Sequence, residues 1–355
     1  MKILFYGAGV LGSLYAARLQ EAGQDVPILA RGRRLADLKE HGVVLREATG
    51  TGKRTATRVG VVERLAQEDA YDLVVVIVRK NQLPSVLPAL AGNGHTPDVL
   101  FMLNNAAGPR QIVDALGKER VLLGFPVAAG WREGHEVRHL VLPGWLQRMQ
   151  KTPLGELDGR TSPRLGRIMG AFRVAGIPVE ASPNMDAWLK THASVVVPLE
   201  LAVQAAGADV RRLSRTRDAL VLLARAMREN LMVLRALGAP VTPGSLRMLA
   251  WLPEPLLASL LGRFFDTEFT EMGLGTHADD PLDELAQLAG ELGDLSRAAG
   301  VPTPAADRLR GHLDPAAPPI PDGSARIPMD QHAAVVAALG AAVGALVVLR
   351  RSRSR

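Results

Sequence analysis

The chain has no cysteine among its 355 residues, so disulfides, thiolate nucleophiles and cysteine-ligated metals are excluded. That absence fits a reducing compartment, and a cytoplasmic protein is expected. The eight histidines show no paired metal-ligand spacing, which argues against a metal centre. Aromatic residues make up only 4%, too few for the stacking surfaces of a nucleic-acid binder despite a net charge of +6. Many arginines are scattered along stretches of helical pattern (Arg211, Arg212, Arg215, Arg217, Arg225, Arg228), so most of the positive charge reads as solvated surface. A smaller share is left for anionic ligands, and no nucleic-acid partner is expected. Met1 opens directly onto an apolar run, so no secretory leader is expected. With 47% hydrophobic and 22% charged residues the composition is that of an ordinary globular protein, and the length suggests two domains.

The most informative stretch is the first. Lys2-Ile3-Leu4-Phe5-Tyr6 has strand character, Gly7-Ala8-Gly9-Val10-Leu11-Gly12 follows at once, and Ser13 to Leu19 has the apolar spacing of a helix. Strand, glycine turn and helix form the context in which G-x-G-x-x-G signals dinucleotide binding. Gly7 permits the tight turn, Gly9 lets the backbone approach a pyrophosphate, and Gly12 allows close helix–strand packing. The helix-start amides and the dipole then hold the phosphates.

A second lack is as telling. The next strand pattern, Gln24 to Ala30, should end in Asp or Glu if a ribose 2′-hydroxyl is to be bound. Here it runs into Ala30-Arg31-Gly32-Arg33-Arg34, with three guanidinium groups where a 2′-phosphate would sit. This is either a solvated basic turn or a phosphate site; after such a glycine loop NADP is favoured, with Arg31 as the main contact. Asp72 to Val78, Pro97 to Leu103 and Arg120 to Phe125 are continuous apolar runs, the mark of parallel strands buried on both faces. Helical patterns around Leu83–Leu90 and Gln111–Leu116 separate them, so a doubly wound α/β sheet is expected, with ligands beyond its carboxyl edge. Two strand ends therefore stand out: Arg79-Lys80-Asn81-Gln82, and Asn104-Asn105-Ala106-Ala107-Gly108. The asparagine pair reads equally as a turn or as amide groups for a nicotinamide or substrate.

From Met185 onward strand patterns give way to helical ones, including a long stretch from Ala219 to Leu237 and a start at Pro281-Leu282-Asp283-Glu284. Pro315 to Gly323 reads as a semi-rigid exposed linker. Residues 333–349 then contain no polar side chain and are followed by four arginines among the last six residues. The run is at the lower length limit for a membrane span, and Gly340 and Gly344 form a G-x-x-x-G face. Its alanine, glycine and valine content makes insertion marginal; the other reading is a helix docked on the body or on a second copy in a homodimer. The layout expected is 1–180 NADP-binding Rossmann-type domain, 181–314 helical substrate domain, 315–332 proline-rich linker, and 333–355 apolar helix with a basic tail.

Taken as an ordered set, these segments resemble the ketopantoate reductase (2-dehydropantoate 2-reductase) family. The opening Lys2 to Ser13 is similar to the family's, and Arg31 matches its usual phosphate-binding arginine. Asn105-Ala106-Ala107-Gly108 falls at its Asn-Gly-x-Gly, and Thr152-Pro153-Leu154-Gly155-Glu156 resembles the segment closing its nucleotide domain. Ala187-Trp188-Leu189-Lys190 is similar to the Trp-x-Lys motif. Counting back from Gly300-Val301-Pro302-Thr303-Pro304 puts Glu284 at the active-site glutamate. The likeness extends to about Leu313. It implies a Rossmann-type domain, a helical second domain, and reduction of a 2-keto acid by NADPH. Lys190 and Glu284 would be catalytic; Gly7 to Gly12, Arg31, Arg79 and Asn105 would bind cofactor; Asn105 and Ser194 would meet substrate. Lys190 would protonate the alkoxide and Glu284 would orient it or accept from a substrate hydroxyl.

The chain departs from that pattern in four places. Arg79 replaces the usual lysine, with Lys80 next to it; Ser194 and Pro198 stand at asparagine positions; Met272 stands where a serine is usual. These departures imply kept hydride-transfer machinery with altered substrate recognition. The rival readings are a non-catalytic NADP(H)-binding protein, as a sensor or membrane-tethered partner, and a dehydrogenase for hydroxy acids or opine-like substrates.

Overall fold

The structure is a computed structural model that describes residues 1–49, 51–141, 151–274 and 282–330. It divides into two compact units, Met1–Ala193 and Ser194–Arg355. The division falls within a helix, whereas the sequence pattern places it just before that helix.

The first unit is α/β. Strands β1 (Ile3–Tyr6), β2 (Pro27–Leu29), β5 (Gly60–Val62), β6 (Leu73–Val76), β7 (Val99–Met102), β8 (Val121–Gly124), β11 (Thr152–Glu156) and β12 (Val179–Ala181) form one sheet in the order β12-β11-β8-β7-β6-β1-β2-β5. All neighbours are parallel except β11 and β8. The six strands β5-β2-β1-β6-β7-β8 have the 3-2-1-4-5-6 order of a dinucleotide-binding sheet, whose direction of winding reverses beside β1. Successive residues of each strand feed opposite cores. Ile3 and Phe5 pack with Leu14, Leu38 and Phe172 from helices α1 (Val10–Glu21), α2 (Gly32–His41) and α5 (Pro163–Val174). Leu4 and Tyr6 pack with Leu83, Leu87 and Ile112 from α3 (Leu83–Gly92) and α4 (Arg110–Leu116). At about 1.5–3 kcal/mol for each fully buried large apolar side chain, these two layers dominate the unit's stability.

A second sheet, β4-β3-β10-β9, is made of β3 (Val43–Glu47), β4 (Arg54–Thr57), β9 (Gly130–Glu133) and β10 (Glu136–His139), and packs on α1. No sequence pattern announced it. Its strands are short and mostly polar, and its core pairing joins Val44 to Glu136, far apart in the chain.

The second unit is helical, with no strand among its described residues. The last part of α6 (Met185–Ala205) is followed by α7 (Val210–Arg215), α8 (Arg217–Ala236), α9 (Glu254–Phe265), α10 (Glu268–Leu274), α11 (Leu282–Ala299) and α12 (Pro304–Arg310). Pro198 lies inside α6. It lacks the N–H that would bond to the carbonyl of Ser194, a defect normally worth about 3 kcal/mol against the helix. Asn230, buried on α8, answers it: its Nδ2 donates to the Ser194 carbonyl at 3.3 Å. Asn230→Ala is therefore expected to destabilise the protein by about 1–3 kcal/mol in denaturant unfolding. In a Pro198→Ala background the same substitution should matter less, because a main-chain N–H is then available. Equal losses in both backgrounds would refute the coupling.

The segment expected to be a semi-rigid exposed linker is exposed along much of its length and is tied to the helical unit by specific bonds. Ile320 N–H donates to the Ala205 carbonyl at 2.8 Å, and Arg215 holds Asp322 through two bonds of 2.8 and 2.7 Å. Buried Asp218 accepts from the Arg326 and Ile327 amides at 3.0 and 2.8 Å, and buried Glu254 accepts from the Asp330 amide at 3.0 Å. These bonds, together with the Ser324 hydroxyl on Asp218 and Arg225 on Glu254, hold both carboxyls below the usual range despite burial. Composition signals an extended segment; it does not reveal buried carboxylates waiting for its amides. Among the described residues no helix is long and apolar enough to cross a membrane, and the apolar run 333–349 lies outside them.

Candidate active site

The glycine turn joins β1 to α1. Gly7 has φ +129°, and a Cβ there would lie 2.1 Å from the Ile77 carbonyl oxygen. At Gly12 a Cβ would lie 2.1 Å from the Gly7 carbonyl oxygen. Both positions need glycine for packing. Gly9 differs: it is exposed, and a Cβ would meet nothing within 4 Å. The protein does not need glycine there, so the open backbone face is a property available to a ligand. Gly9 is also the N-cap of α1, and no side chain caps that helix, so its first amides point outward unclaimed by a cap. Ala8, Val10 and Leu11 are partly exposed along the same turn. These residues fit a pyrophosphate.

Of the three arginines after β2, Arg31 and Arg33 are exposed at the start of α2. Arg34 is not available in the way the sequence suggested. It is buried and braces the glycine turn from behind, donating to the Ala8 carbonyl at 3.2 Å, the His135 carbonyl at 3.1 Å and Ser13 Oγ at 2.9 Å.

Along the same carboxyl edge, the ends of β6 and β7 carry a polar chain. Arg79 caps the 3-10 turn Lys80–Gln82 and is half-exposed, whereas Lys80 is buried. Lys80 Nζ donates to Asn105 Oδ1 at 2.8 Å, and Asn105 Nδ2 donates to the Gly108 carbonyl at 2.9 Å. Gly108 has φ +88°, and a Cβ would lie 3.1 Å from Asp186 Oδ1 and 3.5 Å from Lys190 Nζ. Asp186 and Lys190, one turn apart on α6, form an ion pair, with the lysine side chain 17% exposed and the aspartate 37%. The aspartate lies N-terminal to the lysine, the better order for such a pair. Lys80, Asn105, Gly108, Asp186 and Lys190 thus form one polar cluster inside the first unit. Lys80 and Asp186 were not among the expected site residues. The adjacent Arg79 drew the assignment for the first, and an acid one helical turn before Lys190 was the available signal for the second.

Beside Lys190, the rings of Trp188 and His192 stack at 5.2 Å and Phe125 lies 4.1 Å from His192. Removal from water brings His192 down to about 4, so it is neutral at neutral pH. Two expected residues fall in the helical unit. Ser194 is fully buried, and its Oγ has no hydrogen-bond partner among the described residues. Glu284 lies half-buried in the first turn of α11. Met272, at the position where a serine was expected, lies on α10.

Comparison with known proteins bears on this arrangement. Residues 3–150 match the family model of ketopantoate reductase PanE/ApbA. The match lies within the first unit, where the chain is similar to that family at low identity. An uncharacterized oxidoreductase of Bacillus subtilis, YkpB, is 27% identical over 195 residues, which are 54% of this chain and 61% of that protein. The chain thus spans about three fifths of that relative's length. A 2-dehydropantoate 2-reductase of Mesorhizobium japonicum is 25% identical over 266 residues, covering 65% of this chain and 77% of that enzyme. Among solved structures, D-mandelate dehydrogenase with NADH and anilino(oxo)acetate superposes with a TM-score of 0.70 at 19% identity, over 88% of this chain and 97% of that one. That likeness concerns the fold: a parallel sheet followed by a helical part.

Proposed function

We propose that the chain is an NADP(H)-dependent reductase that converts a 2-keto acid, ketopantoate or a related carbonyl compound, to the 2-hydroxy acid. The observation that carries the reading is the cluster of Lys80, Asn105, Asp186 and Lys190 at the carboxyl edge of the sheet that also carries an open glycine turn. In this reading Gly7 to Gly12 and the first amides of α1 hold the pyrophosphate, and Arg31 takes the 2′-phosphate. Bound there, the reduced nicotinamide supplies the hydride. Asn105, fixed at both ends of its amide, positions the reacting groups. Lys190 donates a proton to the developing alkoxide, and Asp186, one turn away, orients its amino group. Glu284 orients the substrate or accepts from its hydroxyl. His192 does not serve as the acid, being neutral at working pH. A compartment that supplies NADPH is implied, and we place the enzyme body in the cytoplasm.

The test is oxidation of NADPH, followed at the reduced nicotinamide's absorbance, across 2-keto acids from ketopantoate to phenylglyoxylate. Oxidation of none of them, with cofactor still bound, would favour the non-catalytic reading. Ser194, buried with an unpartnered hydroxyl, and Pro198, a proline at an asparagine position, are the observations on that side. The cofactor assignment has its own test. Arg31→Ala is expected to raise the KM for NADPH about 10–100-fold, the value of a charge-assisted phosphate contact of about 1.5–3 kcal/mol. The KM for NADH should stay the same. Equal effects on both would remove Arg31 from the 2′-phosphate.

A further inference from the structure

One helix of the second unit turns an apolar face to solvent. On α9, Leu257, Ala258 and Phe265 are buried, whereas Leu256, Leu260 and Phe264 are 47%, 46% and 48% exposed. Residues four apart on a helix stand one above the other, so these three form a single stripe with Leu260 at its middle. The flanking stretches of chain carry more. Met248 and Trp251 before the helix are 61% and 81% exposed, and Phe269 after it is 40% exposed. Exposed apolar residues scattered singly need no explanation; six large ones on and beside one helix do.

The order of these side chains indicates what covers them. Counted outward from Leu260, the set reads alike in both directions: Leu256 and Phe264 stand four residues away, Trp251 and Phe269 nine. A helix with that property is complementary to its own copy when two meet antiparallel about a two-fold axis, because residue i then faces j while j faces i. The area fits as well. At about 200 Å² for a whole large side chain, the exposed fractions of the six amount to about 600–700 Å², close to the roughly 800 Å² that each partner contributes to a stable interface. Three carboxylates of the stretch are already held within the chain, so pairing strands none of them. Arg225 holds Glu254 at 2.8 and 2.9 Å, and Arg211 holds Asp266 and Glu271 at 3.8 and 2.6 Å.

We propose that the α9 face is the two-fold interface of a homodimer, with Leu260 on the axis, Leu256 of each copy against Phe264 of the other, and Trp251 towards Phe269. Sedimentation velocity of the full-length protein should show a species of twice its 37.9 kDa. Leu260→Glu sets two carboxylates against each other across the axis and should raise the dissociation constant at least about 100-fold. Leu260→Lys should do the same, and mixing the two variants should restore the dimer, a rescue that only a residue facing its own copy allows. Unfolding temperature checks that both variants stay folded, as expected at an exposed position. The lack of native cysteine permits a second measurement. Leu260→Cys should cross-link to a disulfide dimer under copper phenanthroline, whereas Val174→Cys, 72% exposed in the first unit, should not. Full-length protein that stays monomeric at about 50 μM would overturn the proposal. So would a dimer that Leu260→Glu leaves intact, or a monomer that binds phosphatidylglycerol vesicles through the stripe instead.

Discussion

Replacing Lys190 with alanine is expected to lower the rate of 2-keto acid reduction by about 10²–10⁴-fold, the usual contribution of a positioned proton donor. Cofactor affinity should be unchanged. The expectation rests on how narrowly the ammonium is placed. Asp186 pairs with it from the preceding turn, Gly108 leaves room for both, and the Gly108 carbonyl is held by Asn105, itself held by Lys80. The cluster's other groups are otherwise engaged: the Lys80 ammonium donates to Asn105, Asn105 is an amide, and burial brings the neighbouring His192 down to about 4. Lys190→Arg keeps the charge but changes its shape, so it should restore little of the rate. Single-turnover measurement of nicotinamide oxidation separates this loss from slow product release. An unchanged rate in Lys190→Ala would remove the lysine from the chemistry.

The second large effect separates two glycines of one turn. Gly12→Ala forces a methyl group to 2.1 Å from the Gly7 carbonyl oxygen, against rigid backbone at the point where α1 meets β1. We expect a stability loss of about 3 kcal/mol or more, seen as a fall in unfolding temperature of several degrees, and loss of measurable cofactor binding. Gly9→Ala meets no protein atom within 4 Å and has an ordinary φ of −69°, so its stability should stay within about 0.5 kcal/mol of the parent. Its cofactor affinity should nevertheless fall, because the added methyl group occupies the face where the pyrophosphate approaches. Calorimetric titration with NADPH alongside thermal unfolding reads both quantities. A Gly9→Ala protein that binds as tightly as the parent would place the phosphates elsewhere.

Local signals in the sequence determined the α/β unit. The apolar runs at β1, β6, β7 and β8 are buried on both faces, so each needs only its own side chains to be recognised. The roles of Gly7 and Gly12 were legible because a tight turn and a close approach each demand glycine. Tertiary structure decided the rest, because it turns on partners distant in the chain. The β3–β10 sheet pairs strands some ninety residues apart. Arg34 rather than Arg31 turned inward because Ala8 and His135 offered carbonyls that burial left needing a donor. Lys80 rather than its neighbour Arg79 reached Asn105 because the 3-10 turn that follows β6 buries Lys80 and leaves Arg79, at its N-cap, half-exposed. Asn230 repaired the helix at Pro198 from another helix, and buried Asp218 and Glu254 made a strap of what composition alone describes as a linker. Residue type states which hydrogen bonds and charges must be satisfied; only packing determines which distant group satisfies them.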